Sequence, residues 1–210
     1  METVKIFRLV GLPLFAYVLG SIPWGLVLTR IFTSEDIRQR GSGNIGAANV
    51  KRIAGPTLGA LTLSGDVLKG ALPVYLALLI TGHENVWRES YICLIAFFAF
   101  LGHLYPLFLK FKTGGKGVAT AAGCFLVLAP AACLIAVLVF ILFVCWYNHV
   151  SSGSLAAAVV LPVAVWARTH SRVLTGFAIV VTMFICFRHK TNIRRLLAGT
   201  EPAAWEKKKK

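Results

Sequence analysis

Apolar runs divide the chain near Ile6 to Ile31, Thr57 to Thr81, Tyr91 to Leu109, Val118 to Leu128, Ala131 to Trp146, Leu155 to Trp166 and Leu174 to Phe187, with short polar links between them. The first three suit single helical crossings, because about 20 residues carry a helix through a hydrocarbon core of about 30 Å. The first is read as a span rather than a removed signal peptide, since it has neither a strongly basic leader nor a small-residue cleavage site. Residues 155–187 read as one long helix would put Arg168 and Arg172, in "RTHSR" (168–172), near its middle. Each charge there costs on the order of 3 kcal/mol. The pattern therefore predicts a hairpin of two short or tilted helices.

Loop charge sets sidedness, since Lys- and Arg-rich loops stay in the cytoplasm. Arg30, Arg38, Arg40, Lys51 and Arg52 flank the first loop, and Lys110, Lys112 and Lys116 the third. Arg188, Lys190, Arg194, Arg195 and Lys207 to Lys210 follow the last run. These belong on one side. The N-terminus, with only Lys5 and Arg8, and "GHENVWRES", with Arg88 set against Glu84 and Glu89, belong on the other. An outside N-terminus and a cytoplasmic C-terminus require an odd number of crossings, so residues 118–146 also cross twice, turning near Pro130. The expectation is an all-α, polytopic membrane helical bundle of seven transmembrane spans, with five as the alternative, forming a single domain over residues 1–210.

Composition agrees with this. Of the 210 residues 57% are hydrophobic, and the mean hydropathy of +0.75 exceeds what a soluble core requires. The net charge of +14 is explained by topology, because a nucleic-acid face needs a soluble surface to carry it. The five cysteines, at 93, 124, 133, 145 and 186, lie in apolar runs without a CxxC pair, so they read as small buried hydrophobes and support neither a zinc site nor a disulfide framework.

Three basic segments carry candidate chemistry. In "RQRGSGNIGAANVKR" (38–52), Gly41, Gly43 and Gly46 permit positive φ, which turns backbone N–H groups into an anion-binding nest. Ser42 and Asn44 add donors, and Arg52 is suited to bidentate phosphate contact. The competing reading is a flexible loop whose charges only set topology. In "FKTGGKGVATAAG" (111–123), the amides, Lys116 and the start of the following helix favour an anion at one place. Gly117 follows Lys116 where a Walker A loop needs Ser or Thr, so a phosphate smaller than a nucleotide fits better. In "RHKTNIRRL" (188–196), His189 and Asn192 share a face if the turn is helical. His103 reads as a packed helix residue near the lysine loop. Asp66 and Lys69 are spaced to pair on one helical face, a structural ion pair supporting the site being favoured over a catalytic carboxylate.

Together "GSIP" (20–23), "GSGNIGAANVKR" (41–52), "DVLKG" (66–70), "GHLYPLFLKFKTGGKGVAT" (102–120) and "RHKTNIRRL" resemble, in order and approximate spacing, the bacterial acyl-phosphate:glycerol-3-phosphate acyltransferases, the PlsY family. The resemblance covers nearly the whole chain. It implies a small helical bundle in the bacterial cytoplasmic membrane with its active site facing the cytoplasm. It further implies acyl transfer from acyl phosphate to the sn-1 hydroxyl of glycerol 3-phosphate, giving lysophosphatidic acid and phosphate for phospholipid synthesis. The family's important serine and arginine match Ser42 and Arg52, and its asparagines match Asn44 and Asn49. Its phosphate-binding glycine loop matches Gly114, Gly115, Lys116 and Gly117, and its histidine and asparagine match His189 and Asn192. With Gly41 and Gly43 these make the expected site. No metal, cofactor or nucleic acid is implied; the partners are the two substrates and membrane lipid. Two departures stand out: "GAAN" replaces the family's GATN, so a hydroxyl is missing at Ala48, and Thr113 interrupts the usual passage from FK to GGKG.

The chemistry suits what the chain lacks. A mixed anhydride has a good leaving group, so positioning and charge stabilisation suffice. No histidine is followed five positions later by aspartate, as in other glycerolipid acyltransferases, and no cysteine has an activating setting. The rival reading is a transporter or channel for a phosphorylated anion, against which stand the lack of a sequence repeat and the gathering of polar motifs at one face.

Overall fold

The computed structural model describes residues 7–81, 87–112 and 114–205, and the side chains from residue 9 onward. Lys5, Ile6, Glu84, Thr113 and Lys207 to Lys210, which entered the charge and motif arguments, lie outside the described residues, as does the Arg8 side chain. Among the described residues every regular element is helical. After a π turn at Phe7–Gly11 come α1 (Leu12–Gly20), α2 (Trp24–Phe32), α3 (Ala47–Ala54), α4 (Pro56–Ile80), α5 (Arg88–Leu104) and α6 (Val118–Leu128). Then follow α7 (Pro130–Tyr147), α8 (Val150–Thr169), α9 (Arg172–Arg188) and α10 (Lys190–Leu197).

Among the described residues four segments are long and apolar enough to cross a membrane: α4, α5 with the turn after it (Arg88–Leu109), α7 and α8. Two bent pairs raise the number to six: the first apolar run, bent by 44° between α1 and α2, and α9 with α10, bent by 61°. The first bend falls at Pro23, which lacks the N–H that a continuous ladder needs. Helix α6 has 11 residues, about 17 Å at 1.5 Å per residue, and falls short of a full core. The expected hairpin over residues 155–187 is present as α8 and α9, which pack on each other. The chain also breaks near Pro130, Ala129 standing between α6 and α7, and α8 ends at His170 in the left-handed region (φ 50°) before Ser171 accepts a hydrogen bond from the Leu174 N–H to cap α9.

The described chain forms two compact units, residues 1–128 and 129–210. In the first, α4 packs on α6 and α1 on α5. Small residues let these backbones meet: Gly20 abuts Ala99, Gly70 abuts Thr120, and Gly123 abuts Val67. In the second unit α8 packs on both α7 and α9, and the Thr182 hydroxyl donates to the Ala158 carbonyl at 2.6 Å. On α7 the buried positions are mostly small (Ala132, Cys133 and Ala136, with Val144), while Leu134, Leu138, Ile141 and Leu142 face outward. A soluble helix has the reverse; lipid, as apolar as leucine, makes the outward leucines cheap and leaves packing to the small residues. Cys145 on the same helix is exposed and Cys186 half-buried, so the expectation that all five cysteines are buried fails at these two. In a lipid-facing helix a thiol has no solvent to avoid.

Candidate functional site

The first basic segment is a loop held from beneath by one buried side chain. Asn49, in the first turn of α3 and 1% exposed, accepts from the Ser42 N–H at 2.9 Å. Its amide nitrogen donates to the carbonyls of Ile37 (3.0 Å) and Arg40 (3.2 Å). Gly41 and Gly43 adopt positive φ (60° and 68°), as their placement predicts, whereas Gly46 is extended at φ −80°. The backbone nest does not form, because the amides are donated within the loop: Gly43 to the Arg40 carbonyl, Asn44 to Ser42 Oγ, and Gly46 to Asn44 Oδ1. Those three amides are therefore already engaged within the loop, and its side chains are the groups left to consider.

Charge pairing selects among those side chains. Arg38 binds Asp36 at 2.6 Å, and Arg40 binds Glu35 at 2.9 Å. The Arg38 guanidinium and backbone N–H, both bonded to Asp36, hold that carboxyl down at about 2. A carboxylate with a depressed pKa stabilises above its ordinary value of 3.8, and that contribution is lost only as the pH falls through about 2. The pair is thus intact at any physiological pH. Arg52 is exposed on α3 and has no ion pair among the described residues. Two arginines of the segment are internally neutralised, whereas Arg52, like Lys51 beside it, has no ion pair among the described residues.

The second segment rests on the C-terminal end of α5. Lys110 and Phe111 both take left-handed conformations (φ 51° and 62°), re-aiming the chain after the Leu107–Leu109 turn. Gly114 lies against the Leu104 carbonyl, Gly117 (φ 87°) against the Phe100 ring, and Gly115 against the His103 imidazole. The Gly115 N–H donates to the His103 carbonyl at 3.1 Å. These glycines are demanded chiefly by close approach to α5. Lys116 is half-buried, and α6 begins two residues later.

In the third segment His189 ends α9 and precedes α10. Its ring is 1% exposed and Nδ1 lies 2.8 Å from the Ile185 carbonyl. That contact requires a proton on Nδ1, so in the neutral ring Nε2 is the basic nitrogen. Asn192, one turn on and also buried, donates to Glu201 Oε1 at 2.7 Å. Glu201 is in turn 3.7 Å from Arg195. The tail holding Glu201 is tied to the start of α8, where the Ala204 and Trp205 N–H groups donate to Asn148.

Beside the second segment lies a buried ionic cluster. Lys69 Nζ is 2.8 Å from Asp66 Oδ1 and donates to the Ile22 carbonyl at 2.7 Å, in the break between α1 and α2. His103 Nδ1 stands 3.6 Å from the same Asp66 oxygen. The expected Asp66–Lys69 pair is present, in a role that supports the backbone.

The glycerol-3-phosphate acyltransferase family profile matches residues 10–199. The chain belongs to that family. The glycerol-3-phosphate acyltransferase of Syntrophotalea carbinolica is 48% identical over 90% of this chain and 93% of its own, and that of Geobacter sulfurreducens is 45% identical over 89% and 92%. Among solved structures, the fold is similar to the glycerol 3-phosphate form of PlsY (YgiH), an integral membrane glycerol 3-phosphate acyltransferase, with TM-score 0.85 and 36% identity over 91% of this chain and 93% of that one. The lysophosphatidic acid form of PlsY superposes with TM-score 0.83 at 35% identity. The chain thus shares the integral membrane acyltransferase fold.

Two supporting groups escape a reading of the sequence alone, the Ile22 carbonyl and Glu201 behind Asn192, whereas His103 is the packed helix residue beside the lysine loop that the sequence predicts. Of these two, Glu201 carried a signal, as the first acidic residue after Glu89, set in a basic segment.

Proposed function

We propose that the protein transfers a fatty acyl group from acyl phosphate to the sn-1 hydroxyl of glycerol 3-phosphate, releasing inorganic phosphate and lysophosphatidic acid. The hydroxyl oxygen bonds to the acyl carbonyl carbon, the bond from that carbon to the phosphate oxygen breaks, and phosphate leaves with the electron pair. Arg52, exposed on α3 without an ion pair among the described residues while Arg38 and Arg40 are neutralised, is the observation that carries this reading: a bidentate cation offered to an anionic leaving group. Ser42 and Asn44, on the loop shaped by Gly41, Gly43 and Asn49, attend one phosphate; Lys116, on the loop of Gly114, Gly115 and Gly117, attends the other. The hydroxyl proton passes to His189 Nε2 or to a substrate phosphate oxygen, and Asn192 holds a substrate oxygen beside that histidine. No metal is assigned a step.

The loop charges support seven crossings of the bacterial inner membrane, with the N-terminus outside and the basic segments in the cytoplasm, α6 being the short member. Residues 1–210 act as one functional domain, a reading supported by the family match running through both compact units. The test is a choice of donors. Purified protein is given acyl phosphate, acyl-CoA or acyl carrier protein with glycerol 3-phosphate, and the product's acyl position is read by NMR. Acylation at sn-1 from acyl phosphate alone is expected; transfer from acyl-CoA with none from acyl phosphate overturns the reading.

A further inference from the structure

The buried cluster of Asp66, Lys69 and His103 takes no part in the chemistry proposed above, yet each of the three residues is only 3% exposed. Charged groups withdrawn this far from water are costly unless held in good geometry, so their retention beside a functional loop calls for a reason. Lys69 closes the α1–α2 break through Ile22, which accounts for one end of the cluster. His103 forms the other end, and it faces the glycine loop.

Glycine at 115 has no conformational justification. Gly41, Gly43 and Gly117 have positive φ, but Gly115 does not, and its N–H is already donated to the His103 carbonyl. A Cβ built on it falls on the His103 ring, meeting Nε2, with Cε1 at 2.6 Å and Cδ2 at 3.0 Å. That ring is turned with Nδ1 toward Asp66, and Asp66 is fixed by Lys69. We infer that His103 is a positioning residue: held by Asp66, its imidazole is the platform that sets the height of the glycine loop, and residue 115 must be glycine because of that ring rather than because a substrate needs the space.

A double-mutant cycle tests this. His103→Asn keeps a nitrogen donor where Nδ1 faces Asp66 and removes the Nε2 edge under residue 115. Gly115→Ala alone overpacks the contact, and the expected result is a fall in Tm in detergent on the order of 5 °C and a roughly tenfold higher KM for a phosphate substrate, with kcat changed much less. His103→Asn alone lowers Tm and raises the same KM by loosening the platform. In the His103→Asn background, adding Gly115→Ala should change Tm by less than about 1 °C and KM by less than about twofold, a coupling typical of residues in contact. If Gly115→Ala alone does not yield folded protein, recovery of folded protein in the double variant is the same result. Additive losses in both Tm and KM, or a Gly115→Ala variant indistinguishable from the parent, overturn the inference. The KM arm rests on the function proposed above, whereas the Tm arm does not, so an inactive parent with a coupled Tm cycle would sink the function and leave the platform standing.

Discussion

At the scale of single residues, the division is between side chains proposed to meet substrate and those that hold the loops carrying them. Arg52→Ala is expected to lower kcat by about 10²- to 10³-fold, the loss seen when one donor to a developing anion is removed, with little change in Tm because the side chain is exposed and unpaired. Steady-state kinetics with thermal unfolding separates the two. His189→Ala is expected to lower kcat by about 10²- to 10⁴-fold if Nε2 takes the proton; a rise only in the KM for glycerol 3-phosphate would pass the base role to a substrate phosphate. Asn49 behaves differently, because its whole amide is consumed inside the loop. Asn49→Ala should cost about 1–3 kcal/mol for each backbone group left unsatisfied and lower activity and Tm together. The types and positions of these residues were legible in the sequence. Their division of labour was not, since a motif shows which groups are present and not which hydrogen bonds they have already spent.

At the scale of elements, the helices follow from hydrophobic runs, proline and charge. Pro23 breaks the first run, Pro130 starts α7, and the arginines at 168 and 172 force the turn between α8 and α9. What the runs could not show is how a broken helix is sealed. At the α1–α2 break Lys69, drawn from α4, occupies the Ile22 carbonyl and is neutralised by Asp66. Removing one partner strands a buried charge, so Lys69→Met is expected to destabilise by about 3–5 kcal/mol. Asp66→Asn combined with Lys69→Met should recover much of that loss, because neither charge then remains buried. Thermal or denaturant unfolding in one detergent decides it; a double variant worse than the sum of the singles would contradict the pairing. The nest expected in the first loop failed for a related reason: glycine spacing permits convergent amides, but the Asn44 and Asn49 carboxamides and local carbonyls bind them first.

On the scale of the whole molecule, apolar patterning and loop charge predicted an all-helical membrane protein, and the exposed leucines of α7 show how the lipid face is built. The charge asymmetry, with basic segments after the first, third and last runs, predicts that glycerol 3-phosphate added outside sealed inverted vesicles is acylated without a carrier. Reaction only in right-side-out vesicles would reverse the sidedness. Family membership could be read from motif order, since no single motif exceeds a short glycine-rich stretch while five in sequence are specific. The central claim is direct transfer between two phosphate-bearing substrates without an acyl-enzyme. Its most direct test follows inorganic phosphate and lysophosphatidic acid together in a stopped time course of purified protein with acyl phosphate. Equal amounts of both products, appearing only when glycerol 3-phosphate is present, are predicted; a burst of phosphate equal to the enzyme concentration without glycerol 3-phosphate would contradict the account.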